Sequence, residues 1–131
     1  MPNGNLRGRR VLIVEDEYYL ADELEVALKA EGAEVLGPAP SVEAALDLLG
    51  REAPPDVAVL DMNLGGDRAS PVADELALRR IPFLFTTGYD AASLPSRYAA
   101  VRTLEKPVEE KTVLRELGKL LDGEQVGGPQ T

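Results

Sequence analysis

Five short strand-like runs, each followed by a segment of helical character, constrain this chain more than any other feature. Val11 to Val14 is fully apolar and largely β-branched, and after it Leu20, Leu24, Ala27 and Leu28 recur at helical spacing, so the pair reads as strand then helix. Gly32 stops that helix, and Glu34 to Leu36 is a second short strand before the turn residues Gly37, Pro38 and Pro40. Ser41 predicts an N-cap for a helix with Val42, Ala45, Leu46 and Leu49 on one face, closed by Gly50, Pro54 and Pro55. Val57 to Leu60 is a third strand. A glycine-containing loop with Gly65 and Gly66 follows, and Ser70 with Pro71 then predicts the cap and first turn of a helix to about Arg80. Pro82 to Phe85 and Val101 to Leu104 are the fourth and fifth strands. Between them residues 90–100 read as a short helix interrupted by Pro95. The apolar set Val113, Leu114, Leu117, Leu120 and Leu121 describes a last amphipathic helix, with Gly118 as its one weak point.

Strands alternating with helices imply an α/β fold, a parallel sheet covered on both faces by right-handed crossovers. The strand order expected is the flavodoxin-like 2-1-3-4-5, in one domain, since 131 residues at 44% hydrophobic content suit a single core. Residues 9–121 read as the domain, 1–8 as an N-terminal tail and 122–131 as a disordered C-terminal tail. The apolar runs fall far short of the roughly 20 residues that cross a bilayer, and the start of the chain lacks a secretory apolar region. With no cysteine, disulfides and thiolate sites are excluded, and a cytoplasmic location is expected.

Histidine is also absent, which excludes imidazole catalysis and the usual zinc ligands. A net charge of −9 disfavours binding to nucleic-acid backbones. The remaining chemistry is that of carboxylates, hydroxyls and basic side chains, and it is concentrated at strand carboxyl ends. Glu15 and Asp16 close the first strand, Asp61 follows the third, Thr86 and Thr87 close the fourth, and Lys106 follows the fifth. Ligands of open α/β sheets bind beyond those ends, so these side chains are expected to meet in one acidic pocket. Crowded carboxylates call for a divalent cation, and an oxygen-only, solvent-facing site suits Mg²⁺. Such a site serves phosphoryl transfer to Asp61, with Lys106 and Thr87 holding phosphoryl oxygens. Each residue has a plainer reading: an acidic pair is usually a solvated loop, an aspartate after a strand a turn residue, and a lysine a surface lysine. Their placement on four successive strand ends favours the site. Thr86 is the alternative hydroxyl, and strand alternation favours Thr87.

The phrases "VLIVEDE", "VLDMN", "FTTGY" and "EKP" resemble the receiver domains of response regulators over residues 9–121. The resemblance implies a phosphoacceptor Asp61, switch residues Thr87 and Lys106 with Pro107 beside the latter, and Mg²⁺ held by Asp16, Asp61 and the Asn63 carbonyl, with Glu15 acting through water. It implies a phosphohistidine donor on a histidine kinase or phosphotransfer protein. "FTTGY" also resembles a subgroup of single-domain alphaproteobacterial regulators with an altered fourth helix. Three departures stand out. Thr103 occupies the position where many receivers carry a switch aromatic. The spacings from Asp61 to Thr87 and from Thr87 to Lys106 are short, which predicts a reduced or distorted third and fourth helix.

Tyr18, Tyr19, Tyr89 and Tyr98 read as packing or interface residues, although Tyr89 could shield a phosphoryl group. A face of Leu94, Tyr98 and Val101 is a candidate homodimer contact. The expected function is a phosphorylation-controlled binding module of a two-component phosphorelay, not an enzyme beyond its own phosphorylation and slow dephosphorylation. The alternatives are a phosphorylation-independent pseudo-receiver and, less favoured, a small Mg²⁺-dependent phosphatase.

Overall fold

Runs that are apolar at every position belong in the middle of a covered parallel sheet, and that is where they lie. The computed structural model describes residues 4–64, 67–88 and 95–123. Its elements are β1 (Arg10–Val14), α1 (Tyr18–Ala30), β2 (Glu34–Ala39), α2 (Val42–Arg51), β3 (Val57–Asp61), β4 (Asn63–Leu64), β5 (Asp67–Arg68), α3 (Ser70–Leu78), β6 (Phe83–Thr87), β7 (Thr103–Glu105) and α4 (Glu110–Leu121), with 3₁₀ turns at Gly4–Leu6 and Ser96–Tyr98. The main sheet runs β2-β1-β3-β6-β7, every neighbouring pair parallel. Counted without the small β4–β5 hairpin, this is the 2-1-3-4-5 order expected, in a flavodoxin-like fold.

Alternation along the strands divides the core in two. Leu12, Val14, Ala58, Leu60, Phe83 and Phe85 pack with Ala45 and Leu49 of α2 and with Val72 and Leu76 of α3. Val11, Ile13, Val57, Val59 and Leu84 pack on the opposite face with Leu24 and Leu28 of α1 and with Val113, Leu114 and Leu117 of α4. The edge strand β2 tolerates Pro38, and Gly37 has φ 94°, where a side chain would be strained and its Cβ would lie 2.7 Å from the Ala39 nitrogen.

Several expectations change. Ser41 caps α2 as expected, its hydroxyl accepting from the Ala44 N–H at 3.1 Å, but Leu46 is 37% exposed and not part of the buried stripe. Ser70 is the first helical residue and Ala69 the N-cap, without a side-chain cap bond. α3 stops at Leu78, and Arg80 takes φ 61° where the chain turns back toward β6. Between β6 and β7 the described residues form only the Ser96–Tyr98 turn, in keeping with the shortened spacing. Residues 89–94, including Tyr89 and Leu94, lie outside the described residues.

The proposed dimer face is corrected. Tyr98 is 4% exposed and its ring meets Phe83 and Phe85 edge to face, with centroids 6.2 and 5.7 Å away, so it belongs to the core. The N-terminal tail is also shorter than expected. Leu6 is fully buried in the cluster under α4, and the Asn5 side-chain amide donates to the Gly118 carbonyl at 2.6 Å and to Asp122 Oδ1 at 3.0 Å. Gly118, the weak point of α4, is therefore where the N-terminal turn packs: a Cβ there would lie 2.9 Å from Asn5 Oδ1. At the other end backbone hydrogen bonds reach Asp122 and Gly123, and residues 124–131 lie outside the described residues.

Candidate functional site

β1, β3, β6 and β7 are consecutive in the sheet, so whatever follows each strand is delivered to one edge. Glu15, Asp16 and Asp61 each present a carboxylate oxygen within 4.8 Å of the other two. Glu15 and Asp61 are buried, at 5% and 4% exposure, and Asp16 is exposed. Lys106 reaches into this cluster from the end of β7, its Nζ 3.1 Å from Glu15 Oε1 and 3.2 Å from Asp61 Oδ2. The Lys106 N–H donates to the Thr87 carbonyl at 2.7 Å, which ties the lysine to the last residue of β6. The Lys106–Pro107 peptide bond is cis. Asn63 lies beside the phosphoacceptor candidate, its N–H donating to Asp61 Oδ1 at 3.1 Å.

The two threonines part company. Asp61 is level with Thr86 in the β3–β6 ladder, and Thr87 stands one residue further toward the carboxyl edge. Thr86 lines a cavity of about 20 Å³ with Leu20, Leu24, Val108 and Val113, and its buried hydroxyl finds no hydrogen-bond partner among the described residues. That cleft has room for about one water and lies under α1 and α4. Its position favours Thr87 as the hydroxyl of the site. At Thr103 the hydroxyl donates to the Val101 carbonyl at 3.2 Å, so no aromatic ring occupies that place on β7.

Charge balance in the cluster is unfavourable without a cation. Burial, reinforced by a hydrogen bond and repulsion from Asp61, pushes the Glu15 carboxyl up to about 7. Burial works against the charged form of Lys106, but Glu15 and Asp61 outweigh it and hold its pKa above the ordinary lysine value. Among the described residues, the Lys106 ammonium thus faces the two buried carboxylates of Glu15 and Asp61. The donor set is all oxygen and the ligand atoms are close enough to share an ion, so the residues fit a hard divalent cation.

Sequence reasoning missed two features here. Glu17 places its Oε2 3.3 Å from Lys106 Nζ, and its N–H donates to Glu15 Oε2 at 3.1 Å. A third acidic residue in a row reads as solvated loop, and only the return of β7 gives it a partner. The second is the antiparallel hairpin β4–β5 directly after Asp61, with Asn63 opposite Arg68. Two-residue strands leave no periodicity to read, though the intervening Gly65-Gly66, which lies outside the described residues, is the composition short hairpins favour.

Known proteins resemble this chain in sequence and in fold. The sensory transduction protein LytT of Bacillus subtilis is 33% identical over 114 residues, covering 84% of this chain and 47% of LytT. The chain thus spans about half the length of that relative. The solution structure of SdrG from Sphingomonas melonis Fr1 superposes with a TM-score of 0.74 at 38% identity, covering 87% of this chain and 97% of SdrG. The receiver domain of PhyR from Erythrobacter litoralis shares the fold, with a TM-score of 0.77 at 23% identity over 97% of this chain and 98% of that one. A family model described as the response regulator receiver domain matches residues 11–117, which span all five strands of the main sheet, and the chain belongs to that family.

Proposed function

We propose that this chain is a phosphorylation switch of a two-component phosphorelay, in which Asp61 accepts a phosphoryl group from a phosphohistidine on a kinase or phosphotransfer protein. The observation that carries the reading is the contact of Lys106 Nζ with Asp61 Oδ2 at 3.2 Å inside a cluster of three carboxylates. Asp16, Asp61 and the Asn63 carbonyl would hold Mg²⁺, with Glu15 acting through water, and the ion would supply the positive charge that lets an anionic carboxylate approach an anionic phosphoryl group.

A carboxylate oxygen of Asp61 forms the new P–O bond as the P–N bond to the donor imidazole breaks, and the imidazole leaves with the electron pair of that bond. The Asn63 N–H holds Asp61 Oδ1 and so orients the carboxylate. Lys106 then turns from Asp61 to a phosphoryl oxygen, and the Thr87 hydroxyl donates to another. The chain has no histidine of its own, so it takes the receiving side. Its chemistry ends with its own phosphorylation and slow hydrolysis, which makes it a binding module and not an enzyme of metabolism. Its output would be a changed protein-binding surface near β6, β7 and α4. We place it in the cytoplasm with its donor; no helix among the described residues is long and apolar enough to cross a membrane. The "FTTGY" phrase supports assigning it to the single-domain alphaproteobacterial type with an altered fourth helix.

Incubation with acetyl phosphate and Mg²⁺, read by intact mass, tests the proposal. An adduct of about 80 Da on the native chain, dependent on Mg²⁺ and absent from Asp61→Asn, is the expected result. Without an adduct the second reading gains, a receiver that binds partners regardless of phosphorylation; the bond from Thr103 to Val101, in place of an aromatic switch, favours it.

A further inference from the structure

Lys106 has a third carboxylate partner that neither the metal site nor the phosphoacceptor requires. Its Nζ lies 3.3 Å from Glu17 Oε2, beside the contacts at 3.1 Å to Glu15 and 3.2 Å to Asp61. Glu17 is the N-cap residue of α1, yet its side chain makes no capping bond. The free N–H groups of the first helical turn favour negative charge at this end of the helix. The Glu17 side chain reaches Lys106 at the pocket mouth instead, while the residue's backbone N–H donates to Glu15 Oε2. The Glu15 and Asp61 side chains are buried, whereas that of Glu17 is 59% exposed and stands on the solvent side of the lysine.

We infer that Glu17 is a positioning residue for Lys106, an outer anchor that holds the ammonium at the pocket mouth and must release it when Asp61 is phosphorylated. The second half of this statement rests on the function proposed above. Once a cation and a phosphoryl group engage the inner carboxylates, Glu17 is the carboxylate left to compete for the lysine. Its charge also stands where an anionic donor enters. Glu17 therefore restrains phosphorylation in two ways, by contact and by repulsion. A half-exposed ion pair is weak, so the restraint is modest: its removal should speed phosphorylation about two- to fivefold.

The experiment compares the native chain with Glu17→Gln, Glu17→Asp and a control, Glu43→Gln, which removes an exposed charge from the first turn of α2. Phosphorylation by acetyl phosphate at saturating Mg²⁺ is followed by intact mass. Separately, the Mg²⁺-free proteins are treated with an amine-acylating reagent and modification of Lys106 is read by peptide mass. Both Glu17 variants are expected to phosphorylate faster and to expose Lys106 to acylation, with Glu43→Gln like the native chain. Native behaviour of Glu17→Gln in both assays overturns the inference. So does an equal gain in Glu43→Gln, which assigns the effect to net charge, or native behaviour of Glu17→Asp beside a faster Glu17→Gln, which assigns it to the local field and not the contact. If the native chain takes no phosphoryl group, the proposed function fails instead, and the acylation of Lys106 alone decides whether Glu17 positions it.

Discussion

Lys106 Nζ lies 3.2 Å from Asp61 Oδ2, a contact across the sheet edge between residues 45 positions apart in sequence. The ammonium occupies the place a divalent cation would contest. Lys106→Met is therefore expected to tighten Mg²⁺ binding, by about 1–2 kcal/mol even with water-like screening, or roughly tenfold. The same variant loses the grip on phosphoryl oxygens, so beryllofluoride should bind it more weakly than the native chain. Calorimetric titration of both ligands checks the opposite signs.

Mg²⁺ binding should also release protons. The Glu15 carboxyl is raised from 4.5 to about 7, by burial first and Asp61 second, so near pH 6 it is largely protonated without metal. A divalent cation displaces that proton, and Mg²⁺ affinity is expected to rise with pH up to about 7 and level off above. Calorimetry at pH 6 in two buffers of different ionisation enthalpy should register a release approaching one proton. Unchanged heats between the buffers would count against the raised carboxyl.

The same group shapes stability. A carboxyl whose pKa is higher folded than unfolded keeps its proton longer in the native state, so its contribution is fully present below about 4.5 and lost as pH rises through about 7. At most this amounts to about 3 kcal/mol. Thermal unfolding of the metal-free chain from pH 5 to 8 should show the decline, and saturating Mg²⁺ should reverse it.

At the far end of the molecule, Leu6→Ala is expected to cost about 2–4 kcal/mol, as for a fully buried leucine and not a tail residue. Gly118→Ala should give little benefit in the native background, because its new methyl meets Asn5 Oδ1. In an Asn5→Ala background the same change should stabilise by up to about 1 kcal/mol, the ordinary helix preference for alanine. Urea unfolding of the four proteins in a double-mutant cycle measures the coupling.

Tyr98 separates ring packing from hydroxyl bonding. Its hydroxyl is 3.5 Å from the Ser70 carbonyl, too long for a strong bond, while its ring packs against Phe83 and Phe85. Tyr98→Phe should shift stability by less than about 0.5 kcal/mol, and Tyr98→Ala should cost about 3 kcal/mol or more. Chemical denaturation of both variants is sufficient.

What could be read in advance follows from the kind of signal each residue leaves. β1 and β3 are buried on both faces and so appear as unbroken apolar runs, and Asp61 closes β3 while Glu15 and Asp16 directly follow β1. The site was legible because it is attached to the strongest pattern in the chain. Glu17 was not, since its meaning depends on Lys106, 89 positions away. Leu6 sits among Arg7, Arg9 and Arg10 with no period to betray its burial, and the place of Asn5 explains a glycine more than a hundred residues later.

Sequence by itself determined the alternation of strands and helices, the absence of histidine and cysteine chemistry, and which acidic, hydroxyl and lysine side chains stand at strand ends. These are local properties, carried by periodicity and residue type. The tertiary structure decided which of them meet, because parallel strands joined by crossovers bring distant segments to one edge. There burial lifts the Glu15 carboxyl and sets Lys106 among three carboxylates, and both effects arise from neighbours that chain order does not reveal.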